Sequence, residues 1–359
     1  MKVCIIGNGL VSLALANILI KKELIVDILS DKKNHRYDES RTLGISKSNV
    51  DFFNSEILNI EKILWHINKI KIYTEKSMNK EVLKFNNNNE QIFSIVKNRD
   101  LEKLLINKLK KSKFVRFKKI NNYQDILKQK YNLIINCDQN NSLTRKFFSK
   151  KIEKNYNSFA YTTKISHKKI DNKTAFQNFT IYGPIAFLPI SETQTSIVYS
   201  LKTKNQKNNF DIESLIKKYN PIYSITKIYD CNHFQLKSSN LRNYYKDNIL
   251  AFGDALHKIH PLAGQGFNMS LRDIRLLSNL IDKRINLGLD LDSSLCQDFQ
   301  KNSQDKNYLF STGIDYIYEL FNIENKFNSN FLSNSIKVIG KNKMLNSIFK
   351  KIANDGIRF

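Results

Sequence analysis

Between Gly253 and Asp273 the chain reads GDALHKIHPLAGQGFNMSLRD, and this stretch limits the possible folds more than any other. The apolar run NILAF ends at Phe252 as a short buried strand, and the Gly-Asp that follows turns the chain at the strand's carboxyl end. That end of a strand is where α/β folds place their ligands. Gly264 and Gly266 let the backbone approach a flat or anionic ligand closely. Leu271, Ile274, Leu277, Ile281 and Ile285 recur at three- and four-residue steps. A helix therefore starts at these glycines, with free N–H groups and the positive end of its dipole facing whatever binds there. Such a terminus favours a group that gains negative charge during a reaction.

The amino-terminal region carries the same kind of signal. KVCII reads as a buried strand, GNGLVS opens a helix running to about Lys22, and Leu24 to Leu29 forms the next strand. Strand, glycine turn, helix and strand within about thirty residues is the setting a dinucleotide fingerprint requires, with the pyrophosphate resting on the helix terminus. Gly7 and Gly9 supply the first two glycines, and Ser12, small enough for close helix–strand packing, stands at the third. The second strand ends at Ser30 without a carboxylate, which leaves Asp31 as the candidate ribose partner. YNLIINC is a further buried strand ending at Asp138, and Asn98 starts a helix with Leu101, Leu104, Leu105 and Leu109 on one face.

From Lys151 to Lys237 the pattern changes to short runs with period-two alternation, SFAYTTKI, TAFQNFTI, GPIAFLPI and TSIVYSL, which predict an antiparallel or mixed sheet. Phe176, Tyr182, Phe187 and Tyr199 in these runs are candidates to face an aromatic ligand. Beyond Asp290 the chain is helical and amphipathic. The expected fold class is α/β. A Rossmann-like nucleotide domain of residues 1–150 and 238–290 is interleaved with a mixed β-sheet domain of residues 151–237, residues 60–97 are assignable to either side, and residues 291–359 form a helical C-terminal region.

With 359 residues and 41% hydrophobic content the chain can bury a substantial core. Lysine and arginine number 58 against 33 acids, a net charge of +25. The excess is mostly lysine spread along the chain, which fits coding bias or attraction to an anionic membrane surface. No clustered arginine stripe marks a nucleic-acid site. Four scattered cysteines lack CxxC spacing, so no metal site is expected and free thiols in a reducing cytoplasm are. No apolar run reaches the length of a membrane span. The apolar stretch from Val3 to Ile20 is interrupted by glycines and read as strand and helix, not as a signal peptide.

At Gly253, Asp254, Ala255, His257, Ile259, His260, Pro261, Ala263, Gly264, Gln265, Gly266, Asn268 and Asp273 the chain resembles the FAD-dependent class A aromatic monooxygenases, and most closely their ubiquinone-biosynthesis branch. Arg41, Asn98 and the run from Asp138 through Ser142 to Arg145 match further blocks of that family, with Gln139 in place of a glycine. The resemblance implies FAD held by Gly7, Gly9, Ser12, Asp31, Arg41, Asn98, Asp138, Gly253, Asp254, Pro261, Gly264, Gln265, Gly266 and Asn268. It implies NAD(P)H or another donor as co-substrate, and transfer of one oxygen of O2, through a flavin C4a-hydroperoxide, to a polyprenylated phenol. It further implies a cytoplasmic protein, peripheral at the inner face of the cytoplasmic membrane, and a place in a ubiquinone-biosynthesis complex. A soluble aromatic substrate is the alternative, and a non-catalytic basic binding protein is the more distant one. No residue emerges as the catalytic base: His257 and His260 lie in the flavin motif as loop-shaping residues, and His167 is read as structural.

Overall fold

The structure is a computed structural model, and it describes residues 1–30, 41–75, 83–86, 91–120, 122–202, 211–261 and 264–327, with the side chains of 83, 85, 86 and 320–327 left aside. The first part of the chain supplies β1 (Lys2–Ile6), α1 (Leu10–Lys21), β2 (Ile25–Ser30), β3 (Thr42–Ser46), α2 (Lys47–Phe52), β4 (Leu64–Ile67), β5 (Lys69–Thr74), β6 (Leu83–Asn86) and β7 (Phe93–Lys97). Then come α3 (Asn98–Lys110), β8 (Val115–Lys119), α4 (Gln124–Leu127), β9 (Leu133–Asn136), α5 (Ser142–Phe147), β10 (Lys151–His167), β11 (Thr174–Thr180), β12 (Gly183–Pro189) and β13 (Gln194–Lys202). The remainder supplies α6 (Ile212–Lys218), β14 (Ile225–Ile228), β15 (Asn232–Leu241), β16 (Tyr245–Lys246), β17 (Ile249–Ala251), β18 (His257–Lys258), α7 (Gln265–Asn286) and α8 (Ser293–Phe327).

β16, β17, β9, β1, β2 and β8 form one sheet in that order, parallel from β17 to β8. Its strands β1 and β9 are apolar and deeply buried, from Val3 to Ile6 and from Leu133 to Ile135. α1 is buried from Ser12 to Ile20, which explains why its sequence is apolar nearly all round. It packs against α3 and α7, whose Leu101, Leu105 and Leu109, and Leu271, Ile274, Leu277 and Ile281, join one continuous core with the sheet. The strand, glycine turn, helix and strand read from the first thirty residues are all present.

The second large sheet runs β18, β15, β10, β13, β12, β11, β5 and β6, with β14 beside β10, and only β11 and β5 pair in parallel. Residues 60–97 are divided between sheets: β5 and β6 enter this one, whereas β4 and β7 pair with β3 in a separate three-stranded sheet. β15 and β18 extend the large sheet past residue 237, into the nucleotide-binding half of the sequence.

Alternation gives this sheet two unlike faces. Ile165, Phe176, Ile185, Phe187, Ile197, Tyr199 and Leu201 point to one face and pack under Leu215, Ile216 and Tyr219 of α6. The expectation that Phe176, Phe187 and Tyr199 face a ligand is therefore corrected: they form the core beneath α6, and Tyr182 packs against the same cluster. The other face looks toward the nucleotide half, joined to it where Thr42 donates a hydrogen bond to Ser196 at 2.9 Å.

Candidate cofactor and substrate site

Three strand ends converge first. Ala251 lies opposite Asn136, and Asn136 opposite Ile6, so β17, β9 and β1 finish side by side and bring Gly253, Asp138 and Gly7 together. Gly7 is left-handed, φ 103°, and a Cβ there would sit 3.5 Å from both the Asp138 nitrogen and Ser12 Oγ. Gly253, φ 57°, passes so close over α1 that its Cβ would lie 3.0 Å from Val11 Cγ1. Asp254 follows it and is exposed. Asn141 Nδ2 and Thr144 Oγ1 donate to the Asp138 carbonyl at 2.8 and 2.7 Å, fixing the turn while Gln139 points outward into solvent. Burial, reinforced by the carboxylates of Asp254 and Asp138, pushes the Cys137 thiol up to about 12 and keeps it protonated. Gly9 caps α1 with no side-chain bond and no acidic residue in the first turn, and a Cβ on it would meet nothing within 4 Å among the described residues.

The second element is the turn into α7. Pro261 accepts a bond from the Gly264 N–H at 3.2 Å, and Gly264 is left-handed, φ 63°, with a Cβ position 3.5 Å from the Gly44 nitrogen of β3. Among the described residues a Cβ on Gly266 would meet only Ile259 Cγ1, at 3.9 Å. Asn268 bolts this turn to β3. Its Oδ1 accepts from the Ser46 N–H and Asn49 Nδ2, both at 2.9 Å, and its Nδ2 donates to the carbonyls of Gly44 at 2.8 Å and Gly264 at 3.2 Å. Asn268 is fully buried, so it acts on the site through the turn it holds. Asn49 was not singled out in the sequence; nothing in its local pattern marks it, because its partner is more than two hundred residues away.

His257 and Asp273, from opposite parts of the motif, meet at 2.5 Å between Nε2 and Oδ2, both buried, and Asn307 of α8 donates to the other Asp273 oxygen at 3.1 Å. His260 is packed edge-on against Tyr156, ring centroids 4.7 Å apart, and against Tyr318 at 4.4 Å. Burial, with Lys154 nearby, lowers its pKa to about 3, so the ring is neutral. Tyr156 in turn donates to Asp315 of α8.

Arg41 is exposed, its guanidinium 5.6 Å from the Phe234 ring of β15. Asn98 is the first residue of α3, capped by Lys97; its N–H donates to the Arg41 carbonyl at 3.1 Å, and its Oδ1 is buried with no donor among the described residues. Gln265 Oε1 is likewise buried with no donor among the described residues. Asp31 lies outside the described residues.

On the facing sheet, register aligns Thr162, Val198, Ala186, Gln177 and Ile72 in one row across five strands. Val198, Ala186, Gln177 and Ile72 are only half-buried in mid-sheet. At one end Ala175, Leu188 and Ile70 are covered by Trp65 and Phe93, and at another Ala160 and Leu236 are covered by Tyr318. The row is thus an apolar floor with covered margins.

These features fit FAD. Two helix termini free of acidic side chains suit its pyrophosphate and the electron-rich ring edge. The space before Gly9, open among the described residues, suits close approach of a phosphate.

Residues 130–286 match the family model described as an FAD binding domain. The chain is 25% identical over 233 residues to the mitochondrial ubiquinone biosynthesis monooxygenase COQ6 of Xenopus tropicalis, covering 53% of this chain and 50% of that protein. To the protein of the same name from Dictyostelium discoideum it is 24% identical over 416 residues, covering 89% of this chain and 84% of the other. The matched stretch thus spans about half the length of the first of these relatives and most of the second. Among solved structures, p-nitrophenol 4-monooxygenase PnpA from Pseudomonas putida superimposes with a TM-score of 0.78 at 11% identity, over 99% of this chain and 98% of that one, and shares the fold. The chain is accordingly similar to ubiquinone-biosynthesis monooxygenases, matches an FAD binding domain over residues 130–286, and has the fold seen in the solved monooxygenase.

Proposed function

We propose that this protein is an FAD-dependent aromatic-ring monooxygenase that hydroxylates a polyprenylated phenol in ubiquinone biosynthesis, with NAD(P)H or another donor supplying electrons. The observation that carries this reading is that β3 ties the two parts together: Gly264 at the α7 terminus lies against Gly44, and Thr42 on the same strand bonds to Ser196 on the face of the large sheet that carries Val198 and Ala186. A cofactor edge at α7 and an aromatic ring on that face are then neighbours.

Bound FAD, reduced by the donor, supplies the activation of O2. The chain's own residues do the rest. Gly7, Gly9 and Ser12 let the pyrophosphate settle on α1, and Asp254 and Asp138 at the adjacent strand ends take cofactor hydroxyls. The N–H groups after Gly264 and Gly266 stabilise negative charge on the ring edge. The floor row packs an aromatic ring and keeps water away, with the Thr162 hydroxyl and the Gln177 amide as its polar members; one of the Gln177 N–H groups is spent on the Ile185 carbonyl at 3.1 Å. His260, neutral and wedged between tyrosines, orders the loop without adding a cation.

A membrane-borne substrate fits the surface charge. Residues 108–130 hold nine lysines and arginines against one acid, Asp125. The edge strand β8 in this span exposes Arg116, Phe117, Lys118 and Lys119 together. No helix among the described residues is long and apolar enough to cross a membrane. Peripheral contact predicts co-sedimentation with anionic vesicles at low salt, lost at high salt; no binding at low salt would remove that contact from the reading.

The deciding experiment is the visible spectrum of the purified protein with its cofactor released and identified, followed by oxygen consumption with prenylated and unprenylated phenols. FAD near one per chain and a prenyl requirement support the proposal. A colourless protein that takes up no added FAD sinks it.

A further inference from the structure

The row of Thr162, Val198, Ala186, Gln177 and Ile72 crosses β10, β13, β12, β11 and β5. Neighbouring strands lie about 4.8 Å apart, so the two ends of the row are roughly 19 Å from each other. Val198, Ala186, Gln177 and Ile72 keep accessible surface, and none of them belongs to a packed cluster among the described residues. The rows on either side are filled. On one, Leu188, Ala175 and Ile70 lie under Trp65 and Phe93, and the indole is fixed by its N–H bond to the Asn172 carbonyl at 2.7 Å. On the other, Ser200, Phe179 and Thr74 are buried. The row is therefore an apolar trough whose long axis runs across the strands, and an apolar strip left open in mid-sheet marks a place for a ligand.

The α7 terminus approaches this trough at one end. Thr42 on β3 bonds to Ser196, the next residue along β13 on the same face as Val198, and Gly44 on the same strand lies against Gly264. The opposite end, Ile72, lies on β5 beside the edge strand β6. An aromatic ring over Val198 and Ala186 takes up about 7 Å of the trough and leaves about 12 Å. The Gln177 amide does not block that remainder, because its bond to the Ile185 carbonyl at 3.1 Å turns it toward the β12 backbone. We propose that the stretch from Ala186 across Gln177 to Ile72 is the subsite for the substrate's isoprenoid tail, taking its first two or three units and directing the rest outward past β6. The inference rests on the prenylated-phenol reading above and adds where the tail lies, which way it leaves and how much of it is recognised.

The test is a binding series read from the flavin spectrum and independent of turnover. FAD-loaded wild type, Ile72→Trp and Ile72→Thr are each titrated with phenol and with phenols carrying one, two, three or four isoprene units beside the hydroxyl. Wild-type affinity is expected to rise about tenfold for each of the first two units and to level off by the fourth. Ile72→Trp fills the far end of the trough; it is expected to bind phenol within about twofold of wild type and the three-unit phenol at least about tenfold more weakly. Ile72→Thr keeps the branched shape but loses apolar surface, and its affinity for the three-unit phenol is expected to fall about threefold. Unchanged binding of FAD and phenol shows that a variant is folded, and if Ile72→Trp fails that check Ile72→Thr decides alone. A tail gain that survives in the folded variants overturns the proposal while leaving the prenylated-phenol reading intact, since the tail is then held elsewhere. Wild-type affinity that ignores the tail overturns both.

Discussion

Asp27 sits in the middle of β2 with no exposed surface, ringed by Arg116 at 2.7 Å, Lys118 at 2.9 Å and the Tyr131 hydroxyl at 2.7 Å. Burial works against its charge, but the bonds from Lys118, Tyr131 and Arg116 prevail and hold its pKa below the usual carboxylate value. A depressed folded-state pKa contributes stability above the unfolded value, and that contribution is lost as pH falls through the folded one. Asp27→Asn should thus cost about 1–3 kcal/mol at pH 7. In urea titrations the gap to wild type should close below about pH 4. Asn268→Ala is a different case, because it strands two buried backbone acceptors and frees the α7 turn. It should lose about 2–4 kcal/mol and weaken FAD binding together, measured by melting and by fluorescence titration. At this scale the sequence was partly readable. Asn268 and Asp273 stand out as motif positions, but their partners Asn49 and Asn307 do not, since hydrogen bonds across hundreds of residues leave no spacing to read. Asp27 resembles an ordinary interruption in an apolar run until its neighbours on β8 are known.

The glycine turns and helices of the cofactor half were legible because each is a local matter of backbone freedom and helical period. β3 shows what local reading leaves out. A Cβ on Gly44 would lie 2.1 Å from Phe93 Cε2 on β7, while Gly264 presses on Gly44 from the other side. Gly44→Ala should therefore push β3 off its neighbours, costing about 1–3 kcal/mol by overpacking. It should reduce FAD affinity, and Phe93→Leu in the same chain should restore part of both, a coupling measurable as a double-mutant cycle. The aromatic residues of the large sheet show the opposite limit. Alternation was visible in GPIAFLPI and TSIVYSL, yet it assigns no face to the cofactor. Only the position of α6 shows that Phe187 and Tyr199 turn away from the site and that Ala186 and Val198 turn toward it.

For the whole molecule, the two halves share strands as well as an interface. β5 and β6 leave the cofactor half to finish the large sheet, and β18, inside the flavin-type motif, forms its opposite edge. The floor row is built across this junction. Filling it with Val198→Phe or Ala186→Phe should leave FAD binding within about twofold of wild type. Turnover of bulky phenols should fall about tenfold or more, a split between binding titration and oxygen uptake. Composition indicated a basic surface, but not that the basic segment 108–130 includes the β8 edge of the parallel sheet.

The parallel pairing of Thr174 through Phe179 with Lys69 through Thr74 closes a chain segment of about a hundred residues, and the Gln177–Ile72 step of the floor depends on it. Closing so long a loop is entropically expensive, and such contacts form slowly. The cofactor site asks for longer closures still: β1, β9 and β17 meet across more than a hundred residues at each step, and α7 meets β3 across more than two hundred. Refolding should accordingly restore flavin quenching only in its slow phase, no earlier than the spectroscopic signature of the large sheet. A newly made chain would then finish the floor before it could hold the cofactor that works beside it.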